Sequence, residues 1–489
     1  MSSKSKLLQT LAVAFLGILS PCQAQQSPPM SQEEVQMHHH GNVQPVEVVF
    51  PRLGRAQEQA QGKLFTLEDA QRLAAESNPT LRQAEAEIRA AKSRMRQASL
   101  YPNPSVGYTG DEIRGGSSNG GKQGFFAEQT IVTGGKLSKG RAIFEQETHM
   151  AEIAAEQQKT RVETSVKIAY HRVLAAQELL ELRRELSQIG GAYQQSQDQL
   201  VQTGQLDESE KLTDEIELQR IHLAAFEQEN ALREEWRKLA ALIGQPDLPQ
   251  SVVAGDLERG WPEINEDQIL QTIAAQSPAT RIADAAGARA SAEIARAKSQ
   301  VIPDLNLFGG LEYNNEPLGT IPQAVGWEGL AEVSVEIPIF NRNQGNIAEA
   351  NADLDRALLE KRRIQLLLRE RAASVVDQYA TAKTVAAQYR DEILPRAQKA
   401  NALLTEKYRQ MLAAYPRMLE ARRKNFQFEA EYVQVLEAVW TASLTLQGFL
   451  LTDALEAPAR PNDMAQPMPE TNLAVPARTL PGLERMPLP

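Results

Sequence analysis

The chain repeats itself, and that duplication limits the folds open to it more than any other feature. Pro79, Arg82, Ala86, Ala91, Ala98 and Pro104 recur as Pro278, Arg281, Ala285, Ala290, Ala297 and Pro303, all 199 residues further on. Further along, Gly135 in TGGK and Gly345 in NQGN each stand between a strand-like stretch and a long helical one. One register fits all six, so the chain holds two copies of one structural unit. Each half reads as short helix, helix, strand, loop, strand, very long helix, turn, long helix.

The helices are predicted from periodicity. Val162, Val166, Ala169, Val173, Ala176 and Leu180 are spaced 4-3-4-3-4, and Leu182, Leu186, Ile189 and Tyr193 run 4-3-4 beside them. The second half repeats the pattern with Val375, Tyr379, Ala382, Ala386, Tyr389 and Ile393. Such seams mark supercoiled helix packing. Two adjacent seams on one helix imply a neighbour on each side, as for a stave in a cylinder. A continuous helix from Gly135 to Gly204 would extend roughly 100 Å at the α-helical rise.

The strands are predicted from alternation. Ala331, Val333, Val335 and Ile337 oppose Glu332, Ser334 and Glu336, while Leu305, Leu307, Leu311 and Tyr313 alternate with Asn306 and Glu312. One face suits lipid and the other water, so Glu332, Ser334 and Glu336 are expected to line a barrel lumen. The first half supplies 105–110 and 124–133, joined by a Gly- and Ser-rich loop over 115–121. Four strands cannot close a barrel, and an open edge in hydrocarbon strands backbone N–H and C=O groups at several kcal/mol apiece. The chain must then oligomerise. Three copies give twelve strands, within the range of outer-membrane barrels, whereas two give eight and no open lumen.

The amino terminus reads as an export signal. Lys4 and Lys6 precede an apolar run from Leu7 to Leu19, and small side chains lead to a cleavage point after Ala24. Cys22, the only cysteine, sits three residues after Leu19 as in a lipobox, so acylation is an alternative that Pro21 argues against. Without Cys22 the mature chain has no thiol chemistry. No mature stretch reaches the roughly 18 apolar residues of a spanning helix. The expected organisation is a signal over 1–24, a leader over 25–63, repeats over 64–250 and 251–455, and a Pro-rich tail over 456–489.

Few residues suggest chemistry. A net charge of −11 with basic and acidic residues interleaved argues against a nucleic-acid binder. His38, His39 and His40, beside Met30 and Met37, could capture a soft or borderline metal ion, although such a run in a flexible leader usually has no dedicated site. His149, His171 and His222 are isolated on helices, and Tyr170, Tyr193, Tyr379 and Tyr389 at seam spacing are read as packing. No hydrolase, phosphate-loop or dinucleotide motif is present in a suitable context, so neither an enzyme nor a cofactor is implied.

Four strings in order within the duplicated frame resemble the TolC family of outer-membrane efflux proteins. They are ASLYPNPSV (Ala98 to Val106), TGQLDESEKLTDEIEL (Thr203 to Leu218), EIPIFNRNQGNI (Glu336 to Ile347) and EILPRAQKANALLTEKY (Glu392 to Tyr408). The third resembles the branch paired with heavy-metal pumps of the resistance–nodulation–division class. The resemblance implies a homotrimer in outer-membrane lipid, with a twelve-stranded barrel continued by a helical tunnel through the periplasm. It also implies a periplasmic adaptor (membrane fusion) protein and an inner-membrane pump as partners. At the tunnel tip it places acidic rings at the second helices of two hairpins. Gly204 fits the first turn and Glu210 the acidic position six residues later, with Asp207 and Glu208 beside it in the first helical turn; in the second, Met411 replaces the family's glycine, Pro416 marks the helix start, Arg417 stands where the family often has an acid, and Glu420 keeps the next one. Arg417 permits a latch to a neighbour's carboxylate, while acids in a first turn also favour the helix dipole without any pore role.

The expected fold is thus mostly α with transmembrane β, and the expected function a passive efflux duct for heavy-metal cations. A drug-efflux or type I secretion duct shares every physical argument. A periplasmic coiled-coil scaffold explains the seams but not the paired strands.

Overall fold

The computed structural model describes residues 64–111, 113, 121–202, 207–317, 323–410, 412–413 and 415–460. Helices α1 (Leu67–Ser77) and α2 (Pro79–Ala98) are followed by strands β1 (Ser105–Asp111) and β2 (Lys122–Ile131), then α3 (Lys136–Gln202) and α4 (Glu208–Ile243). The second set has α5 (Glu266–Gln276), α6 (Pro278–Ser299), β3 (Leu305–Pro317), β4 (Ala324–Val335) and α7 (Gln344–Gln388). A π-helical turn (Tyr389–Ile393) then leads to α8 (Leu394–Arg409) and α9 (Tyr415–Gln447).

The same local chemistry starts corresponding helices in both sets. Asn78 caps α2 by accepting from Thr80 N, with Pro79 as first residue; Ser277 caps α6 by accepting from Thr280 N, with Pro278 as first residue. A side-chain acceptor satisfies one orphan N–H, and proline gives up only an N–H that had no partner. The α4 helix ends at Gly244 in the left-handed region, φ 89°, where a β-carbon would meet Ser77 O at 2.7 Å.

At 67 residues, α3 is a rod of about 100 Å. It packs against α4 on one side and α9 on the other, and α9 packs on α7 and α8, giving a row α4–α3–α9–α7. The α6 helix lies on both α3 and α7, and α2 lies on α3. The main core runs through this row, with Tyr170, Val166, Val173, Leu239, Tyr379, Leu436 and Leu446 fully enclosed. Matching polar locks tie the helices to the connecting segments. Tyr170 Oη donates to Ala254 O and Tyr379 Oη to Pro262 O, while Trp236 Nε1 donates to Leu248 O and Trp440 Nε1 to Leu257 O.

The second long helix differs from its expected continuous form, because the π turn interrupts it. Pro395 cannot donate to a carbonyl one turn back, and its ring crowds that carbonyl, so the preceding turn widens by one residue.

The four strands form one antiparallel sheet in the order β1–β2–β3–β4, which leaves β1 and β4 as its edges. The first two strands begin or end one or two residues from the expected bounds. Thr133, expected in β2, instead donates its N–H to Asp304 Oδ1, an atom that also pairs with Lys136 Nζ at 2.8 Å, and this joins the strand ends to α3. The NRNQGN string forms the corresponding junction before α7. Asn343 sits at φ 58°, donates its N–H to Asn341 Oδ1 and reaches Ala297 O through Nδ2.

Candidate functional site

The sheet register sorts the strand side chains onto two faces. One carries Val106, Phe125, Leu311, Trp327 and Val333, each between 63% and 79% exposed. Near the end of the sheet that leads into residues 112–120 and 318–322, this face bears two edge-on aromatic pairs, Tyr108–Phe125 and Tyr313–Trp327. The opposite face is polar and more sheltered. Glu312 and Asn314 are buried there, Asn314 Nδ2 donates to Glu328 Oε1, and Lys122 Nζ lies 3.7 Å from Glu328 Oε2.

Glu332 and Ser334 lie on this polar face. Glu332 stands opposite Phe308, which in turn stands opposite Glu128; Ser334 stands opposite Asn306, whose Oδ1 accepts from Thr130 Oγ1. Glu336 falls beyond the last residue of β4, since Pro338 has no N–H to extend the ladder. Sequence reasoning missed Lys122, Glu128 and Glu328. The apolar Phe126 between Lys122 and Glu128 on the same face hides the alternation; it stacks on Phe308 with ring centroids 5.4 Å apart.

At the other end of the rods, Asp207 is the exposed N-cap of α4, and hydrogen bonding from Ser209 holds its carboxyl below the usual range. Glu208 is the first helical residue, while the side chain of Glu210 lies outside those described. Arg417 is exposed. Glu420 lies in the second turn of α9 rather than the first, so the dipole argument does not reach it; Lys424 Nζ, 2.9 Å away, holds its carboxyl below the usual range. Gly204, Met411, Cys22 and His38, His39 and His40 lie outside the described residues.

The structure adds two features near the tip. Arg423 of α9 pairs with Glu217 of α4 at 2.5 Å, linking the second helices of the two hairpins. The buried seam of α9 also becomes polar toward the tip. Met418, Arg422, Asn425, Glu429, Tyr432, Leu436 and Val439 follow 4-3-4-3-4-3 spacing and are all buried, with buried Asn401 on α8. That spacing was available in the sequence, but charged members disguise it.

Three of the tyrosines serve as packing: Tyr170 and Tyr379 are enclosed, and Tyr389 stacks on Tyr432 and donates to Glu431, while the side chain of Tyr193 lies outside those described. His171 is buried between helices, while His149 and His222 are exposed. Among the described residues no group of three metal-ligating side chains converges, and no helix is long and apolar enough to cross a membrane.

A rod of helices joined to a two-faced sheet is the form that comparison with known proteins recovers. The family model described as outer membrane efflux protein matches residues 71–245 and 269–450. The chain belongs to this family. As an outer membrane efflux protein it is 25% identical over 402 residues to the cobalt-zinc-cadmium resistance protein CzcC of Cupriavidus metallidurans, covering 82% of this chain and 92% of that one. Its fold matches that of CusC with a TM-score of 0.64 at 17% identity, over 79% of this chain and 92% of that one. The CmeC outer membrane channel of Campylobacter jejuni matches with 0.64 at 16%, over 82% and 89%. The open-state MtrE outer membrane channel of Neisseria gonorrhoeae matches with 0.62 at 16%, over 80% and 90%. The efflux protein therefore sits in the outer membrane and extends from it.

Proposed function

We propose that three copies of this chain close a twelve-stranded barrel and a helical tunnel, forming the passive outer-membrane duct of a tripartite pump for heavy-metal cations. The observation that carries the assembly is the four-stranded sheet with an apolar face, a polar face and two unpaired edges. In lipid, those edges are satisfied only if β1 of one copy pairs with β4 of the next. The exposed face then meets lipid, with its aromatic pairs near one interface, and the polar face becomes the lumen.

In this reading the two halves descend from one duplicated unit, the signal segment through Ala24 is removed on export, and the energy comes from an inner-membrane pump reached through a periplasmic adaptor. Glu128, Glu312, Glu328 and Glu332 outnumber Lys122 on the lumen face, so three copies make an acidic wall that favours cations weakly and in a salt-dependent way. Asp207, Glu210, Arg417 and Glu420 would repeat three-fold around the tip as the aperture. The metal assignment rests on the similarity to the cobalt-zinc-cadmium resistance protein over most of both chains.

Deleting the gene and assaying growth on zinc, cobalt, cadmium and copper tests that assignment. Heightened sensitivity to one or more of these metals, restored by the intact gene, supports it. Unchanged metal tolerance with altered drug tolerance assigns the duct to organic substrates instead.

A further inference from the structure

Within one protomer, α9 covers a stripe of α3 at the level of His171. The His171 ring stacks on Trp440 with centroids 3.8 Å apart, and Arg172 Nε lies 3.7 Å from Glu437 Oε1. The covered positions Ile168, His171 and Ala175 are 6%, 7% and 1% exposed. The row of helices has two ends, α4 and α7, and these are the counterparts of α9 and α3 in the other half. Trp236 corresponds to Trp440 and Tyr379 to Tyr170, as their matching hydrogen bonds to connecting segments show.

Carrying the α3–α9 contact over by this correspondence gives residues that the protomer leaves uncovered. Asp377, Ala380 and Thr384 of α7 replace the buried Ile168, His171 and Ala175, and Asp377 and Thr384 are exposed. On α4, Arg233 and Arg237 replace Glu437 and Thr441 and are both exposed. Glu437 faces Arg172, and the helices are antiparallel, so Thr441 faces Ile168 one turn away; their counterparts Arg237 and Asp377 then face each other. Neither has an ion pair within its own chain among the described residues. The stripe of α4 here, Asn230, Arg233, Glu234, Arg237, Lys238 and Ala241, is exposed, and every residue in it belongs to that one helix.

We propose that this exposed stripe packs against α7 of a second copy of the chain, with Arg237 of one copy paired to Asp377 of the next and Arg233 lying against Thr381. The opposite charges complement each other, and the packing continues that already seen between α3 and α9. The proposal rests on the trimeric reading and names the helical seam that sheet closure alone leaves unspecified.

The test uses full-length protein in detergent. Arg237→Glu lowers the trimer fraction, raising trimer dissociation by at least about tenfold, because a like-charge pair in an interface costs several kcal/mol. Adding Asp377→Lys to the same chain restores it. A photo-crosslinking residue at position 233 attaches to a second copy, and peptide mapping places the adduct near Thr381. If wild type is a trimer but the reversal has no effect, or the adduct maps away from α7, the seam is wrong and the trimer stands. If wild type is a monomer, the trimeric reading itself fails.

Discussion

Single side chains set the strength of the joints between helices. His171 lies against Trp440, and its Nδ1 is 2.8 Å from Lys167 O; burial pushes its pKa down to about 4. A histidine depressed in the fold is stabilising while neutral. That contribution is whole above the unfolded pKa near 6.5 and is lost as pH falls toward 4, because the unfolded chain then binds the extra proton. Melting in detergent should therefore show stability falling by up to about 3 kcal/mol across that window, and His171→Phe, which keeps a ring on Trp440, should flatten the slope. Gly244→Ala should cost at least about 1 kcal/mol in urea titrations, since φ 89° and the approach to Ser77 O both exclude a β-carbon. The histidine's neighbour across the seam was hidden in the sequence, because Trp440 lies 269 residues away.

At the scale of elements, most of the architecture was legible. The 4-3 seams gave the rods and the alternation gave the strands, because each pattern has a single burial geometry behind it. Three features were not legible. The π turn between α7 and α8 needs knowledge of how the helix accommodates Pro395 in the first turn of α8, which a proline in a helical pattern signals only as a break or kink. The pairing of Lys122 with Glu328 needs the β2–β3–β4 register, to which a local pattern is blind. The polar layer on α9 follows the seam spacing but carries residues that normally mark a solvated face. Arg422, Asn425 and Glu429 are buried all the same, and Asn425 Nδ2 donates to Glu429 Oε1 at 2.9 Å. Replacing the three together by Met, Leu and Leu should raise stability by about 1 kcal/mol or more, whereas Glu429→Ala alone should lower it by leaving polar neighbours uncompensated. Chemical unfolding of the two variants in parallel separates these outcomes.

For the whole molecule, function follows from surfaces that one chain cannot cover. Both sheet edges and both ends of the helix row are open, and the polar sheet face encloses nothing until it is curved into a wall. If that face lines a conduit, Glu332→Lys should lower the cation-to-anion permeability ratio of the reconstituted channel, most strongly at low salt where screening is weak. Substitution of exposed Lys159, far from the sheet on α3, should not alter the ratio. Membership of the efflux family fixes the membrane and the kind of task, while the closed wall itself is the physical claim on which the rest depends. Native mass spectrometry of detergent-extracted protein addresses it most directly. A single species of three times the chain mass, resistant to sodium dodecyl sulfate until heated, is the result expected. A stable single chain in detergent-free buffer, helical but without sheet, would contradict it.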